Sequence, residues 1–522
     1  MAKRGERKSY SVAMRLLLAA LLVAAGCSGG GGGSSSPPPP VPTQTYTNPT
    51  IYSSAPTGSL QNAPEITSVT RGRVIAGGAT LDYTATAGHL NALSLGTGVP
   101  QASFFYVAYT LDGVAPATRP VTFFYNGGPG SATVWLHLGS FGPKRLATGV
   151  PAMGTETPFP LVDNAETLLD TSDLVFVDAV GSGYSTAIAP NRNNTFWGVD
   201  ADARVFRDFV MRYVAVNNRG TSPKFLFGES YGAPRTAVLA NMLEQAGVTL
   251  AGIVLQSSAL NYNVNCGITD STAVGCGGYL PSYAATSTWF GKTRPDPGIA
   301  GIPSFMIPVR TLTVERYEPA LQRWLASRTL VDADLLPILD LVTGIPGPTW
   351  QSSFNMRPDF YRTRLMPGTL LGRYDSRVTI VDNTRNGEID PSSELISPSF
   401  AFRITQYLST TLNYTTPSTY VLLSNAINTW NFSHDGRELP DTIPDLVAAL
   451  MHNPRLRILS MSGYHDLATP FFTTERDLAR AGAGANLTER NYLGGHMTYL
   501  DDASRREQKA DLAAFYRSAL AH

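Results

Sequence analysis

The stretch Lys224-Phe-Leu-Phe-Gly-Glu-Ser-Tyr-Gly232 decides the fold of this chain. Its first four residues favour a buried strand, and the residues that follow, as far as about Gln245, favour a helix. A serine in the pattern Gly-x-Ser-x-Gly between a strand and a helix lies on a tight turn that lifts its hydroxyl above a sheet. Side chains at the two glycine positions would clash in that turn. The stretch therefore predicts a nucleophilic Ser230 at the edge of an α/β sheet.

Strands are predicted wherever a β-branched, aromatic or apolar run ends at Gly, Pro or Asn. These runs are Ser103–Leu111, Val121–Tyr125, Leu174–Val180, Lys224–Phe227, Gly252–Gln256, Arg455–Met461 and Asn486–Leu493. Helical stretches lie between them, and Asp200–Val216 and Pro234–Gln245 are the clearest. The middle runs are almost entirely apolar, as in parallel strands that are covered on both faces. The alternation predicts an α/β class fold with a mostly parallel central sheet.

The alternation stops between about residues 261 and 420, a region rich in Pro, Trp and Tyr with helical pieces such as Thr313–Ser327. We interpret this region as an insertion between core strands that forms a cap over the substrate cleft. A separate small domain with its own task is the alternative.

A serine hydroxyl is a weak nucleophile and needs a neighbouring base. The chain has seven histidines, and in the α/β-hydrolase fold the order along the chain is serine, acid, histidine. His496 follows the last predicted strand, in Leu493-Gly-Gly-His-Met-Thr498. It also precedes a final helix, for which Ser504 and Glu507 predict a capping box. We therefore expect His496 to be the base.

The base needs a carboxylate to orient it. Asp466 follows the predicted strand Arg455–Met461 and so lies at the carboxyl edge of the sheet, where the sites of such folds collect. Asp178 also follows a strand, but it precedes the serine in the chain. We expect Asp466 to orient His496 and His465, its neighbour, to be incidental.

The oxyanion of an acyl-transfer intermediate needs backbone N–H donors. Asn126-Gly-Gly-Pro-Gly130 follows the predicted strand Val121–Tyr125, and its glycines let backbone amides approach a substrate. An ordinary Gly-Pro turn is the alternative. Together with the serine turn, this segment predicts an oxyanion hole.

These segments together resemble the serine carboxypeptidase family of the α/β-hydrolase superfamily. The resemblance rests on Asn-Gly-Gly-Pro-Gly, Gly-Glu-Ser-Tyr-Gly and Gly-His-Met in this order, and on the segments 174–185 and 463–470. It runs from about Phe104 to the end of the chain and is poor in the insertion. It implies that Ser230, Asp466 and His496 form a catalytic triad on a peptide substrate, with no cofactor and no metal.

The resemblance also implies roles for the residues around the triad. Gly128 and Tyr231 would donate the oxyanion N–H groups, and Asn126, Gly127 and Glu229 would hold the free α-carboxylate of a peptide. An ionised glutamate repels a carboxylate, so Glu229 can donate a hydrogen bond only when it is protonated, which favours acidic pH.

One position departs from the family. A second glutamate downstream of Asn-Gly-Gly-Pro-Gly helps to share the proton in the family, and Ser140 stands at that place here. Strict carboxypeptidase action is therefore open, because an esterase, an amidase or an acyltransferase could use the same triad. A surface binding protein that has kept the fold and lost catalysis is the alternative from a different class.

The first residues predict export. A basic leader precedes the apolar stretch Leu16–Ala25, which is too short to span a bilayer. Ala24-Ala-Gly-Cys27 resembles a bacterial lipobox, with Ala24 in place of the usual leucine. We expect residues 1–26 to be a lipoprotein signal peptide and Cys27 to carry the lipid, although a plain cleaved signal is the alternative. The protein would then be anchored by lipid in the cell envelope, at the periplasm or the outer membrane.

Residues 27–45 are rich in Gly, Ser and Pro and predict a disordered stalk, which leaves residues 46–522 for the catalytic domain. The stalk would lift this domain off the membrane.

Composition excludes some classes of protein. Lys plus Arg and Asp plus Glu both number 40, so the net charge is zero and a nucleic-acid binder is not expected. Besides Cys27 the chain has Cys266 and Cys276, which lie in a Gly-rich loop. In an exported protein this spacing indicates a disulfide, with two free thiols as the alternative. Without a nearby histidine pattern, the pair makes a poor zinc site.

Overall fold

A computed structural model of the chain describes residues 45–269, 271–329, 332–382 and 389–521. The predicted signal peptide at residues 1–26, Cys27 and all of the predicted stalk except Thr45 lie outside the described residues. Within those described ranges, no helix is long and apolar enough to cross a membrane.

Ten strands of the described chain form the central sheet. They are β1 (Thr67–Ala76), β2 (Ala79–Leu93), β3 (Pro100–Leu111), β4 (Val121–Tyr125), β5 (Asp173–Val177), β6 (Thr186–Ala187), β7 (Lys224–Glu229), β8 (Gly252–Gln256), β9 (Arg457–Gly463) and β10 (Leu487–Tyr492). The order across the sheet is β10-β9-β8-β7-β4-β5-β3-β2-β1, with β6 beside β3. Along this order, the neighbours β10, β9, β8, β7, β4 and β5 pair in parallel. Strand β3 pairs antiparallel with both β5 and β2, and β2 pairs antiparallel with β1. The predicted mostly parallel sheet is confirmed, and the ends of the predicted strands differ from the observed ends by up to three residues.

The hairpin of β1 and β2 was not predicted. Its turn is Gly77-Gly78, and both residues have positive φ, at 56° and 80°. Two such residues form the tight turn whose twist matches that of an antiparallel pair. The Gly-Gly pair was a usable signal, but β1 is rich in polar residues and lacks the apolar run of a buried strand.

Fourteen α-helices lie within the described residues. They are α1 (Val134–Gly139), α2 (Val199–Val216), α3 (Gly232–Gln245), α4 (Leu280–Trp289), α5 (Ile302–Leu312), α6 (Glu318–Ser327), α7 (Leu336–Thr343), α8 (Gly347–Ser352), α9 (Pro358–Arg364), α10 (Pro391–Glu394), α11 (Ser397–Thr410), α12 (Ile443–His452), α13 (Phe471–Arg480) and α14 (Asp502–Leu520). A π-helical turn, Thr313–Tyr317, joins α5 to α6. Three short strand pairs complete the structure: Tyr46–Thr47 with Tyr414–Thr415, Lys144–Leu146 with Leu161–Asp163, and Thr369–Leu371 with Thr379–Val381.

The predicted capping box of the last helix is wrong. The N-cap is Asp501, whose carboxylate accepts hydrogen bonds from the backbone N–H groups of Ala503 and Ser504. Aspartate caps a helix as well as serine does. Because Asp501 lies three residues before Ser504, the helix begins earlier than the prediction has it.

Each face of the sheet is covered by its own apolar core. On β7 the side chains of Phe225 and Phe227 pack into one core with α1, α11 and α14, and Leu226 packs into the other with α2, α3 and α12. Every residue of β7 is buried. A strand covered on both faces can hold the residue that follows it in a fixed position.

The inserted region between β8 and β9 has a third apolar core of its own. This core draws residues from Cys266 to Leu371 and rests on the loop after β9 through Leu467 and on α13 through Phe471. Helix α11 instead packs, through Phe400 and Ile404, on the sheet core that contains Phe225 and Phe227. The part of the insertion with its own core therefore ends well before residue 420. Cys266 and Cys276 form a disulfide at its start.

Candidate active site

Ser230 lies on the turn between β7 and α3. Its φ is 61°, a left-handed conformation that is uncommon for residues other than glycine and is concentrated at functional sites. Its N–H donates to the carbonyl of Gln256 at the end of β8, at 2.9 Å. A Cβ at Gly228 would lie 2.1 Å from the carbonyl oxygen of Gly232, so the tight turn requires glycine there.

Asp466 and His496 are joined directly. His496 Nδ1 lies 2.7 Å from Asp466 Oδ2. The carboxylate is fully buried and accepts hydrogen bonds from the N–H groups of Ala468 (2.7 Å) and Thr469 (3.0 Å) and from the Thr469 hydroxyl (2.7 Å). These donors stabilise the ionised acid and fix its orientation toward the imidazole.

The electrostatic surroundings of His496 favour its protonated form. Burial lowers the pKa of His496, but the charge and hydrogen bond of Asp466, together with the charge of Glu229, outweigh burial and raise the pKa above its usual value. Among the described residues, nothing is hydrogen-bonded to His496 Nε2 or to Ser230 Oγ, and both residues line one cavity. The structure thus joins Asp466 to His496 and places His496 and Ser230 on the walls of one cavity.

The loop that carries His496 is held by residues that were not predicted. The His496 N–H donates to the carbonyl of Tyr374 at 2.5 Å, and the His496 carbonyl accepts from Ser257 Oγ at 2.6 Å. Arg377 bridges this loop to the cap, because it binds Asp501, the carbonyl of Leu493 and Asp375. These contacts span long distances in sequence, so no local pattern signals them.

The predicted oxyanion turn packs directly against the serine turn. A Cβ at Gly127 would lie 2.4 Å from the backbone nitrogen of Tyr231. The N–H groups of Gly128 and Tyr231 donate to no group of the described chain. Two free amides beside a nucleophile are the feature of an oxyanion hole.

A buried ion pair ties these two turns together. Arg235 donates to the carbonyl of Asn126 at 2.7 Å and to Asp202 at 2.6 Å, and its side chain is completely buried. Arg235 therefore links α3, which follows the serine, to the oxyanion turn. No local sequence signal marks this residue, since an arginine inside a helix is ordinarily exposed.

Asn126 and Glu229 form a polar pair in a small cavity of about 80 Å³ beside Ser230. Asn126 Nδ2 donates to Glu229 Oε1 at 2.8 Å, and Asn126 Oδ1 accepts from the N–H of Leu136. Burial raises the pKa of Glu229 to about 7. The second oxygen, Oε2, has no hydrogen-bond partner among the described residues. A protonated Glu229 could therefore donate to an anion that enters this cavity.

Ser140 does not support Glu229. Its hydroxyl donates to the carbonyl of Leu136 at 2.5 Å, back into α1. The group beside Glu229 is instead the hydroxyl of Tyr499, which is buried and lies near both Glu229 and Asn126 without a hydrogen bond to any described residue.

A family model described as serine carboxypeptidase matches residues 79–262, a stretch that contains both the oxyanion turn and Ser230. Over this stretch, the chain is similar to the serine carboxypeptidase family. The solved structure of Kex1(delta)p, a prohormone-processing carboxypeptidase from Saccharomyces cerevisiae, is 15% identical with a TM-score of 0.52, and the match covers 83% of this chain and 91% of that one. This likeness confirms the predicted α/β-hydrolase fold, and the match to the family model supports a serine hydrolase.

Two further solved structures are more distant. Proline iminopeptidase from Mycobacterium smegmatis is 16% identical, over 83% of this chain and 99% of that one, with a TM-score of 0.37. A thermostable carboxyl esterase from Bacillus coagulans is 12% identical, over 83% and 98%, with a TM-score of 0.36. No curated protein matches the sequence significantly.

The protein has a second, larger cavity that also reaches Ser230. Its volume is about 770 Å³, and it shares Gly128, Ser230 and Tyr374 with the small cavity. Most of its remaining walls come from the insertion. A substrate that spans Ser230 would therefore contact the sheet edge on one side and the cap on the other.

The two other candidate residues, Asp178 and His465, make contacts that hold the fold together. Asp178, the rival acid, accepts from the N–H of Thr133 at 2.8 Å and from the hydroxyl of Tyr420 at 2.9 Å, so it anchors the start of α1. His465 is buried against Trp289. In the described ranges, no group of three or more His, Cys, Asp or Glu side chains is arranged to hold a metal ion.

Proposed function

We propose that this enzyme is a carboxypeptidase that removes single residues from the C-termini of peptides. The observation that carries the proposal is the pair of Asn126 and Glu229 in the small cavity beside Ser230. A glutamate with a pKa of about 7 is neutral at mildly acidic pH, and its free oxygen can then donate to the terminal carboxylate of a peptide. Ser230 and His496 line the same cavity, so a carboxylate held by this pair would lie beside the nucleophile.

The chemistry follows from the positions of the triad. Ser230 Oγ forms a bond to the carbonyl carbon of the last peptide bond while His496 Nε2 takes its proton. The N–H groups of Gly128 and Tyr231 stabilise the negative oxygen that results. The C–N bond then breaks, and His496 returns the proton to the amine of the departing amino acid.

Water completes the cycle. It attacks the acyl ester on Ser230, with His496 again as the base, and the ester bond breaks to release a peptide that is shorter by one residue. Asp466 stays ionised throughout and stabilises the imidazolium that forms in each half of the reaction.

Digestion of a peptide library, read by mass spectrometry across pH, tests the proposal. We expect losses of single residues from the C-terminus of peptides with a free carboxylate, and no losses with the Ser230→Ala variant. Cleavage inside the peptides, or removal of N-terminal residues, would contradict the proposal.

The position of Ser140 favours one second candidate, an esterase or acyltransferase that uses the same triad. Without a second glutamate beside Glu229, the small cavity could instead hold the alcohol part of an ester. Rapid hydrolysis of simple esters together with no action on peptides would support this candidate.

A fluorophosphonate probe separates either enzyme from a silent binding protein. The probe forms a covalent bond with an activated serine. We expect labelling of the wild type and none of Ser230→Ala, whereas an unlabelled wild type would indicate that catalysis has been lost.

We also propose that the enzyme is held at the cell envelope by lipid on Cys27. The basic leader, the short apolar stretch and the Gly/Ser/Pro-rich run of the sequence support this location. In cells given an alkyne-labelled fatty acid, we expect the wild type to be labelled and to sediment with membranes, and Cys27→Ser to do neither. Labelling of the Cys27→Ser variant would contradict the assignment.

A further inference from the structure

The large cavity on the cap side of Ser230 contains two arginines that have no ion-pair partner in the described chain. They are Arg357 and Arg373. Arg357 donates to the carbonyl of Thr269 at 2.9 Å, and Arg373 donates through Nη2 to the carbonyl of Gly267 at 2.8 Å. Neither has a described carboxylate within the 4 Å of a salt bridge. Their positive charge is therefore available to a ligand in the cavity.

Arg373 is the better placed of the two. Its Nε is buried and has no hydrogen-bond partner among the described residues. A buried donor on a charged group is costly to leave unpaired, and a bound acceptor would relieve that cost. Its charge also acts on His496, whose pKa it lowers against the larger effect of Asp466. Arg373 and Ser230 line the same cavity.

The backbone of Arg373 is fixed to the catalytic centre. Its N–H donates to the carboxylate of Asp390 at 2.7 Å, and its carbonyl accepts from the N–H of Leu467, next to Asp466, at 3.0 Å. The following residue, Tyr374, accepts the N–H of His496. An arginine on so restrained a segment can orient a substrate group with little loss of conformational entropy.

The neighbouring acids do not neutralise Arg373 by direct pairing. Asp359 lies 3.3 Å from Arg362, and Asp390 accepts backbone N–H groups as the N-cap of α10. Glu438, the other acid on the wall, is exposed to solvent. The cavity wall therefore carries the Arg373 guanidinium without a salt bridge, together with the carboxylates of Asp359 and Glu438.

We propose that Arg373 selects substrates with an acidic side chain on the residue that precedes the scissile bond. This rests on the proposed function for the direction of the chain, because the leaving residue would occupy the small cavity and the acyl residue the large one. A glutamate or aspartate side chain would accept hydrogen bonds from Nε of Arg373 and from its free Nη1. Planar carboxylate and guanidinium groups pair well in this way.

Esters of N-blocked amino acids test the inference without requiring carboxypeptidase action. The α-ethyl esters of N-blocked glutamate and glutamine differ in charge but almost equally fill the cavity. At pH 6 we expect wild-type kcat/KM to favour the glutamate ester by about tenfold or more, since a hydrogen bond to a charged group contributes about 1.5–3 kcal/mol. In Arg373→Gln we expect the ratio to fall to near one.

The ratio is the decisive quantity, because both esters use the same triad. Any effect of the variant on His496 changes both rates alike and cancels. Arg373→Lys keeps the charge and should keep part of the preference, which guards against a general loss of structure. Arg316→Gln removes a cap charge that pairs with Asp334 at the surface, and it should leave the ratio at its wild-type value.

A wild-type ratio near one would overturn the inference, and so would a preference that persists in Arg373→Gln. If the enzyme hydrolyses esters with this preference but does not act on peptides, carboxypeptidase action fails and the role of Arg373 stands. If peptides lose C-terminal residues with no preference for an acidic acyl residue, the role of Arg373 fails alone.

Discussion

The two sides of Ser230 are built in different ways. The small cavity takes its pair of Asn126 and Glu229 from the ends of neighbouring sheet strands: Asn126 follows β4, and Glu229 ends β7. The large cavity takes most of its walls from segments of the insertion and the chain after it, around residues 262–271, 357–374 and 427–439. In the proposed function, the sheet would therefore supply the chemistry and the recognition of the leaving group, while the cap would set which acyl residue is accepted.

The largest expected effect is an equal loss of activity on peptides and on esters. Asp466→Asn leaves the packing intact but no longer stabilises the imidazolium of His496. We expect kcat to fall by about 10⁴-fold, by the same factor for peptides and for esters. Steady-state kinetics on both substrates measures it, with Asp178→Asn as the control for loss of a buried acid elsewhere. A loss that differs strongly between the two substrate types would contradict a shared triad.

The second prediction affects only the small cavity. Above its pKa of about 7, Glu229 is ionised and repels a peptide carboxylate, so kcat/KM on peptides with a free C-terminus should fall as pH rises through 7. In Glu229→Gln this alkaline decrease should disappear, and activity near neutral pH should be kept or raised, since glutamine donates at every pH. The pH profile of kcat/KM is the measurement.

Ethyl esters serve as the control for that profile, because they carry no carboxylate in the leaving group. Their profile should lack the decrease at pH 7 in both proteins. A large loss of peptide activity in Glu229→Gln at every pH would show that Glu229 does not act as a protonated donor.

The third prediction concerns the cap. The disulfide of Cys266 and Cys276 closes a loop with a sequence separation of 10, and the adjacent Gly267 and Ile268 line the large cavity. Replacing both cysteines with serine should lower the free energy of unfolding by about 2–3 kcal/mol. It should also raise KM for esters with a large acyl group more than for the acetyl ester. Chemical denaturation and ester kinetics check the two parts, and an equal change in KM for both esters would contradict the placement of the acyl group.

The smallest expected effect concerns the outer wall of the large cavity. In the sequence, His434 lies between Phe432 and Leu439, which line that wall. Its Nδ1 lies 2.7 Å from Asp200 Oδ1, and its Nε2 lies 2.8 Å from Asp445 Oδ2. The hydrogen bond to Asp445 raises the pKa of His434 to about 9. Because the folded pKa lies above the unfolded value of about 6.5, the stabilisation is complete below pH 6.5 and is lost as pH rises through 9.

We expect that loss to be about 1–2 kcal/mol, discounted for the solvent around Asp200. The difference in unfolding free energy between wild type and His434→Gln, measured at pH 6 and pH 10, should shrink by this amount. His452→Gln, at an exposed position, is the control and should show no such change. A difference that is constant with pH would argue that the bridge does not depend on the charge of His434.

The site residues at the edge of the sheet could be predicted because the patterns that mark them are local in the sequence. Asn126 and Glu229 each follow an apolar strand, and the pairing of Tyr125 with Gly228 in parallel register brings them together. Asp466 and His496 likewise follow β9 and β10. For such residues, the position after a strand is enough to predict the edge of the sheet.

The residues that the cap and the buried ion pairs contribute could not be predicted, because their contacts are distant in sequence. Arg373 and Tyr374 reach the triad only through the packing of the cap, and no periodic pattern marks them. Arginine is ordinarily a surface residue, but Arg235 and Arg377 are buried and form ion pairs. The N-cap Asp501 was missed because two polar residues, three positions apart, compete for one role.

The most direct test of the central claim compares one peptide with a free C-terminus and the same peptide as its C-terminal amide. At pH 5.5 a protonated Glu229 paired with Asn126 should hold the free carboxylate and find no such partner in the amide. We predict that kcat/KM for the free acid exceeds that for the amide by about 100-fold, and that the excess falls as pH rises through 7. Equal rates for the two peptides at every pH would contradict the account.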